Sequence, residues 1–237
     1  MAETIERAVE AMRLRKRTQH VAINVAKIVQ ARSNEILRND LVRSDIVSVD
    51  GMGIVMGLRL AGVTVPERVA GIDLFEKILA ECAIERFRPF FLGATEDVVQ
   101  RAIANALRRF PNLQFAGSHH GYFERDQEED IVKLVGASGA DCLFIGMPTP
   151  RKERFLHKYR DVLSVPFVMG VGGAFDVMAG KVARAPFWMQ QTGLEWLYRV
   201  YQEPGRMWWR YLSTNTIYAM LLMGIAIQRL ARRTIQE

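Results

Sequence analysis

Short apolar runs alternate with amphipathic stretches through the first three-quarters of the chain. The apolar runs at 20–24, 46–49, 89–92, 114–116, 142–145 and 167–169 have the length and side-chain content of strands. The stretches at 74–85, 96–109, 128–138 and 151–159 carry apolar residues at helical spacing. This alternation predicts an α/β fold, a parallel sheet with helices on both faces. Right-handed crossovers then line up the C-terminal ends of the strands along one edge, where such sheets bind ligands.

From about Ala185 the pattern becomes helical only. Residues 187–202 read as one helix, Pro204 opens another, and 216–230 is strongly apolar. The purely apolar part, 217–227, is too short for a bilayer span, which needs about 20 apolar residues, and reads as an interfacial or packed helix. Three regions follow: an N-terminal helix at 1–17, an α/β domain at 18–184 and a helical appendage at 185–237. The first residues mix acids and bases without an apolar core and do not read as a signal peptide.

Composition sharpens the contrast between domain and appendage. The chain has 237 residues, enough for one α/β core plus an appendage without disulfide staples. Its two cysteines, Cys82 and Cys142, lack a CxxC partner and read as free buried thiols. Of the net charge of +6, the segment from Lys181 onward contributes +5, with eight Lys/Arg against three Asp/Glu. All four tryptophans, Trp188, Trp196, Trp208 and Trp209, lie there too. A basic, Trp-rich segment suits an anionic membrane surface or a phosphate ligand. No helix-turn-helix, RNP or zinc-finger pattern is present, so no nucleic-acid partner is expected.

The residues that follow the strands carry the candidate chemistry: Asp50-Gly51, Gly93-Ala94-Thr95, Gly117, Gly146-Met147-Pro148 and Gly170-Val171-Gly172-Gly173. Each glycine alone is an ordinary turn residue; together they suggest a nucleotide or sugar-diphosphate site. Asp50 reads equally as a general base and as a helix cap. Arg206 and Arg210 share a helix face, with Arg199 in the helix before, and they read as a diphosphate clamp or a solvated basic surface. Lys152 could reach a phosphate or a sugar hydroxyl, with Thr149 or Glu153 closing the turn as the plainer alternative. Asp176 could bind a ribose or sugar hydroxyl, or cap a helix. The four histidines lack metal-ligand spacing, and neither a GxSxG elbow, a Walker A motif nor an Asp-x-Asp clamp occurs, so neither a metal nor a cofactor is expected.

Several longer segments coincide. They are Asn24, Asp50-Gly51 after SDIVSV, PERVAGIDL with Arg68, FFLGAT, the GYF of Gly121 to Phe123, IGMPTPRKERF, and GVGGAFDVMAGKVARAPFWMQQTGLEWLYRVYQEP. With these the chain resembles the WecG/TagA/CpsF glycosyltransferase family from about His20 to Arg210. The resemblance implies a Rossmann-like fold and an inverting, UDP-sugar-dependent transferase. The acceptor would be a polyprenyl-diphosphate-linked sugar, met at the cytoplasmic face of the plasma membrane by a peripheral enzyme of surface-polysaccharide synthesis. Asp50 matches the general base. Asn24, Gly51, Arg68, Gly93, Gly146, Pro148, Lys152, Glu153, Gly172, Gly173, Phe175, Asp176 and Arg184 would form the substrate-binding set. Arg199, Arg206 and Arg210 would contact the diphosphate.

Two positions depart from that family. Ala22 stands where many members carry Thr, and Lys152 where many carry Gln; both would lie near the donor sugar, whose identity stays open. The acceptor glycan, the linkage and homo-oligomer formation are also open. The rival reading is a non-catalytic module that holds a nucleotide-sugar or lipid-linked glycan in an assembly complex.

Overall fold

The computed structural model describes residues 1–234. Packing divides the chain into two units, each assembled from separate segments. The first comprises Met1–Ala22, Ile36–Ser48 and Val69–Ala183; the second comprises Ile23–Glu35, Val49–Arg68 and the chain from Arg184 onward.

The first unit is built on a parallel sheet of six strands: β1 (Thr18–Ile23), β2 (Ile46–Val49), β3 (Pro89–Gly93), β4 (Gly117–His119), β5 (Cys142–Gly146) and β6 (Phe167–Gly170). Their order is β2-β1-β6-β5-β3-β4. Side chains alternate across the sheet, and both faces are apolar, as a doubly covered parallel sheet requires. Phe91 and Phe144 join one core with Phe75, Leu74, Ile78 and Phe175. Phe90, Leu92, Leu143 and Ile145 join the other with Ile131, Val135, Phe155 and Leu156. The covering helices are α1 (Ala2–Arg13), α3 (Glu35–Arg43), α5 (Gly71–Glu85), α6 (Glu96–Arg109), α7 (Glu128–Ala137), α8 (Arg151–Lys158) and α9 (Ala174–Met178). In α6 the charges suit the helix dipole, with Glu96 and Asp97 in the first turn and Arg108 and Arg109 in the last.

The predicted strands are present, with two shifts. The strand expected at 114–116 lies instead at Gly117–His119, so Gly117 opens β4 and is not a strand-end turn. A side chain there would meet the Phe90 ring at 2.8 Å, which explains the glycine. Asn24, taken as the end of the first strand, begins a helix instead.

The second unit is helical: α2 (Val25–Ala31), α4 (Met52–Leu60), α10 (Phe187–Thr192), α11 (Glu195–Gln202) and α12 (Pro204–Thr234). The single helix expected at 187–202 is two helices, broken at Gly193. Gly193 has φ of +77°, and a Cβ on it would lie 2.6 Å from Met52 Cβ. A left-handed residue with no room for a side chain stops α10 there. Conversely, Pro204 and the apolar stretch at 216–230 belong to one continuous 31-residue helix. One stripe of α12 faces inward: Met207 and Thr214 are buried, and the Tyr218 hydroxyl donates to the Gly53 carbonyl at 3.1 Å. The opposite face is apolar but exposed, with Trp208, Trp209, Met220, Met223 and Ile227 outward. No helix of the described residues is long and apolar enough to cross a membrane.

Candidate functional site

The site residues named from sequence divide between the two units. Asn24, Asp50, Gly51, Arg68, Arg184, Arg199, Arg206 and Arg210 belong to the second, and the rest to the first.

In the second unit Asp50 directly follows β2. Its backbone N–H donates to the Ile23 carbonyl at 2.8 Å, which ties the end of β2 to the end of β1. Asp50 is not the N-cap of α4. That position falls to Gly51, whose φ of +105° only glycine adopts without strain. Asn24 does cap: its side-chain oxygen accepts from Lys27 N–H at 3.0 Å and starts α2.

Arg68 is held by Glu195 of α11 at 3.1 Å, in a pair that is largely out of solvent. Arg199 lies in the last turn of α11, and Arg210 in α12 places its guanidinium 5.7 Å from the Tyr211 ring centre. Arg206 lies one turn earlier in α12, and its side chain is outside the described residues.

Tyr211 is the member of this group that sequence reasoning missed. Burial pushes its hydroxyl above the usual phenol value; Arg210 and Arg199 work against that rise, while Asp50 and Glu195 add to it. Four charges from three separate places in the sequence, three of them named as candidates, therefore act on one phenol. The available signal was the spacing of Met207, Tyr211, Thr214 and Tyr218, which alternates four, three and four residues along one helical face.

In the first unit, strand-end glycines let backbones approach closely. Gly93 and Gly146 are paired in register at the ends of β3 and β5, and Ile145 is paired with Gly170 at the end of β6. A Cβ on Gly93, whose φ is +142°, would lie 2.5 Å from the Gly146 backbone. Gly146 itself lies over the Phe175 ring. Phe175, expected in the substrate-binding set, is instead fully buried in the core among Phe75, Phe91 and Phe144. It supports the strand ends from beneath, because an apolar ring is worth more in that core than at a polar edge.

Lys152 and Glu153 also lie inside. Their side chains are 6% and 0% exposed, with Nζ 2.7 Å from Oε1. Thr149 donates its hydroxyl to the same Oε1 at 3.1 Å, closing the turn that opens α8. The Lys152 side chain also fills the place of a side chain at Gly170, 2.8 Å from where a Cβ would be. Its charge is thus matched within the protein. Pro148 and Gly172 are exposed, Gly173 opens α9, and Asp176 lies 3.8 Å from Lys181 Nζ.

Comparison with known proteins bears on this arrangement as a whole. A profile of the glycosyl transferase WecG/TagA/CpsF family matches residues 1–234. A protein from Bacillus spizizenii named N-acetylglucosaminyldiphosphoundecaprenol N-acetyl-beta-D-mannosaminyltransferase is 38% identical over 173 residues, covering 73% of this chain and 66% of its own. A protein of the same name from Bacillus subtilis is 35% identical over 183 residues, covering 77% of this chain and 70% of its own. The chain thus spans about two-thirds of the length of these relatives. A match over all the described residues, on a parallel sheet with motif residues at its strand ends, identifies it: the chain belongs to the glycosyl transferase WecG/TagA/CpsF family.

Proposed function

We propose that this family member transfers an N-acetylhexosamine from a UDP-sugar to a hydroxyl of a polyprenyl-diphosphate-linked sugar, with inversion and with Asp50 as general base. The observation that carries the reading is that Asp50, at the end of β2, belongs to the same packed unit as Arg199 in α11 and Arg210 in α12. A carboxylate at a strand end in one packed unit with several guanidinium groups has both functions the reaction needs. The carboxylate takes the proton of the attacking acceptor hydroxyl as the new bond to the anomeric carbon forms. The bond from that carbon to the phosphate oxygen breaks, and UDP leaves with the bonding pair. Arg199 and Arg210, with Arg206, stabilise the charge of the diphosphate.

The relatives' names specify N-acetylmannosamine as the group transferred and N-acetylglucosaminyl-diphosphoundecaprenol as the acceptor. We adopt these as the first donor and acceptor for assay. Asn24 uses its amide oxygen as a cap, so its NH2 is the end that addresses a substrate. The exposed tryptophans and outward apolar face of α12 fit peripheral attachment to the cytoplasmic leaflet, where such an acceptor is presented.

The test is transfer from UDP-N-acetylmannosamine to a short-chain analogue of that acceptor, with wild type and Asp50→Asn. The wild type turns over, and the variant loses at least about 100-fold in kcat while still binding UDP. A variant with wild-type turnover removes Asp50 as the base, and a wild type inert towards a panel of UDP-sugars removes the transferase reading.

A further inference from the structure

Glu195 is absent from the site residues that the sequence predicts, yet the structure pairs it with one of them. It opens α11, and its Oε2 accepts from Arg68 Nη1 at 3.1 Å. The two residues are 127 positions apart and belong to the same packed unit. Their side chains are 16% and 27% exposed, Arg68 first, so the pair is shielded from water without being sealed from it.

Arg68 lies in the segment between α4 and α5, which forms neither helix nor strand. A long side chain on such a segment samples many rotamers unless something holds it, and ordering it on ligand binding weakens affinity. Glu195 supplies the hold. The contact runs from one nitrogen to one oxygen and is not the two-bond fork that a guanidinium can make with a carboxylate. A guanidinium carries five N–H donors in one plane. With Nη1 given to Glu195, the rest of that plane is aimed and can still meet the oxygens of a second anion. Four residues on from Glu195, and so one turn along the same face of α11, is Arg199, read above as a diphosphate contact.

We propose that Glu195 is a positioning residue that aims the Arg68 guanidinium at a substrate diphosphate, beside Arg199. The inference rests on the reading of the appendage arginines as diphosphate contacts. Glu195 itself touches no substrate; it acts through Arg68.

The test titrates UDP, and separately a short-chain polyprenyl-diphosphate-linked N-acetylglucosamine, into wild type, Glu195→Ala and Glu195→Gln by calorimetry. The two titrants separate the two sources of a diphosphate, donor and acceptor. In Glu195→Ala the Kd of at least one rises about threefold to tenfold. In Glu195→Gln, whose amide oxygen can still accept from Nη1, it stays within about twofold of wild type. A role confined to holding the fold would lower the Tm of Glu195→Ala and leave both Kd values unchanged. Unchanged Kd values overturn the proposal, and so does a Gln variant as weak as the Ala variant. If Glu195→Ala is less stable, the same substitution in Arg68→Ala keeps the test decisive. It then weakens binding no further, because Glu195 acts through Arg68, and an additive loss overturns the proposal. The two readings fail separately. A wild type that binds both titrants but transfers no sugar removes the transferase reading, whereas an active wild type beside a Glu195→Ala variant that binds equally well removes only the role of Glu195.

Discussion

Lys152 and Glu153 are neighbours in sequence with opposite charge, and both are removed from water. Such a pair gives little net stability when intact, because desolvation offsets the attraction, but breaking it strands a buried charge. Lys152→Met is therefore expected to cost about 3–5 kcal/mol in urea unfolding, and Lys152→Met with Glu153→Gln to recover most of that loss. A single variant as stable as wild type would mean that the charge of Glu153 needs no partner. Sequence made Lys152 a candidate contact for a phosphate or a sugar hydroxyl; the pairing with Glu153 makes its first task internal neutralisation. Asp50 shows the opposite limit. Its place after a strand was legible, but a base and a cap have the same sequence signature; the structure gives the N-cap position of α4 to Gly51, the next residue.

Among elements, the contact of α4 with α12 carries a clear constraint. Gly53 and Gly57 are four residues apart on α4, and both face α12. A side chain at Gly57 would run into the Tyr218 hydroxyl and would lie 2.9 Å from Leu222 Cδ2. Gly57→Ala should lower stability by about 1–3 kcal/mol through overpacking, read from thermal or denaturant unfolding. Combined with Tyr218→Phe it should cost less than the sum of the two, since the phenolic oxygen is the atom in the way. Additive costs would place the strain elsewhere. Element boundaries followed periodicity well where a helix lies on the sheet, as in α6, which begins and ends where its apolar spacing does. They failed at Gly193 because the break depends on Met52, a residue about 140 positions earlier that no local window contains.

At the scale of the molecule, α12 has two different faces. Its inner stripe is part of the packing of the second unit, while its outer face presents Trp208 and Trp209, the latter 73% exposed. Deleting the chain from Arg199 would remove core and surface together, so loss of activity on truncation would not isolate membrane attachment. Replacing Trp208 and Trp209 with Ser leaves the inner stripe intact. That double variant should bind anionic vesicles severalfold more weakly than wild type in sedimentation, with unchanged melting temperature. Binding equal to wild type would exclude these tryptophans as the membrane contact. Raising the salt concentration should weaken attachment further, because the segment from Lys181 onward contributes a net +5.

The sequence by itself determined the class of fold, since alternating strand and helix periods admit a parallel sheet covered on both faces and little else. It also determined the family, through the long run from Gly170 to Pro204. Tertiary structure alone decided what shares a packed unit. Asp50 and Arg210, 160 residues apart, come together with Tyr211 in one unit, while Phe175, two residues beyond a glycine pair, turns into the core. The physical reason is that periodicity reports which face of an element is buried, whereas burial of a particular charge, ring or glycine depends on neighbours that chain folding brings from distant positions.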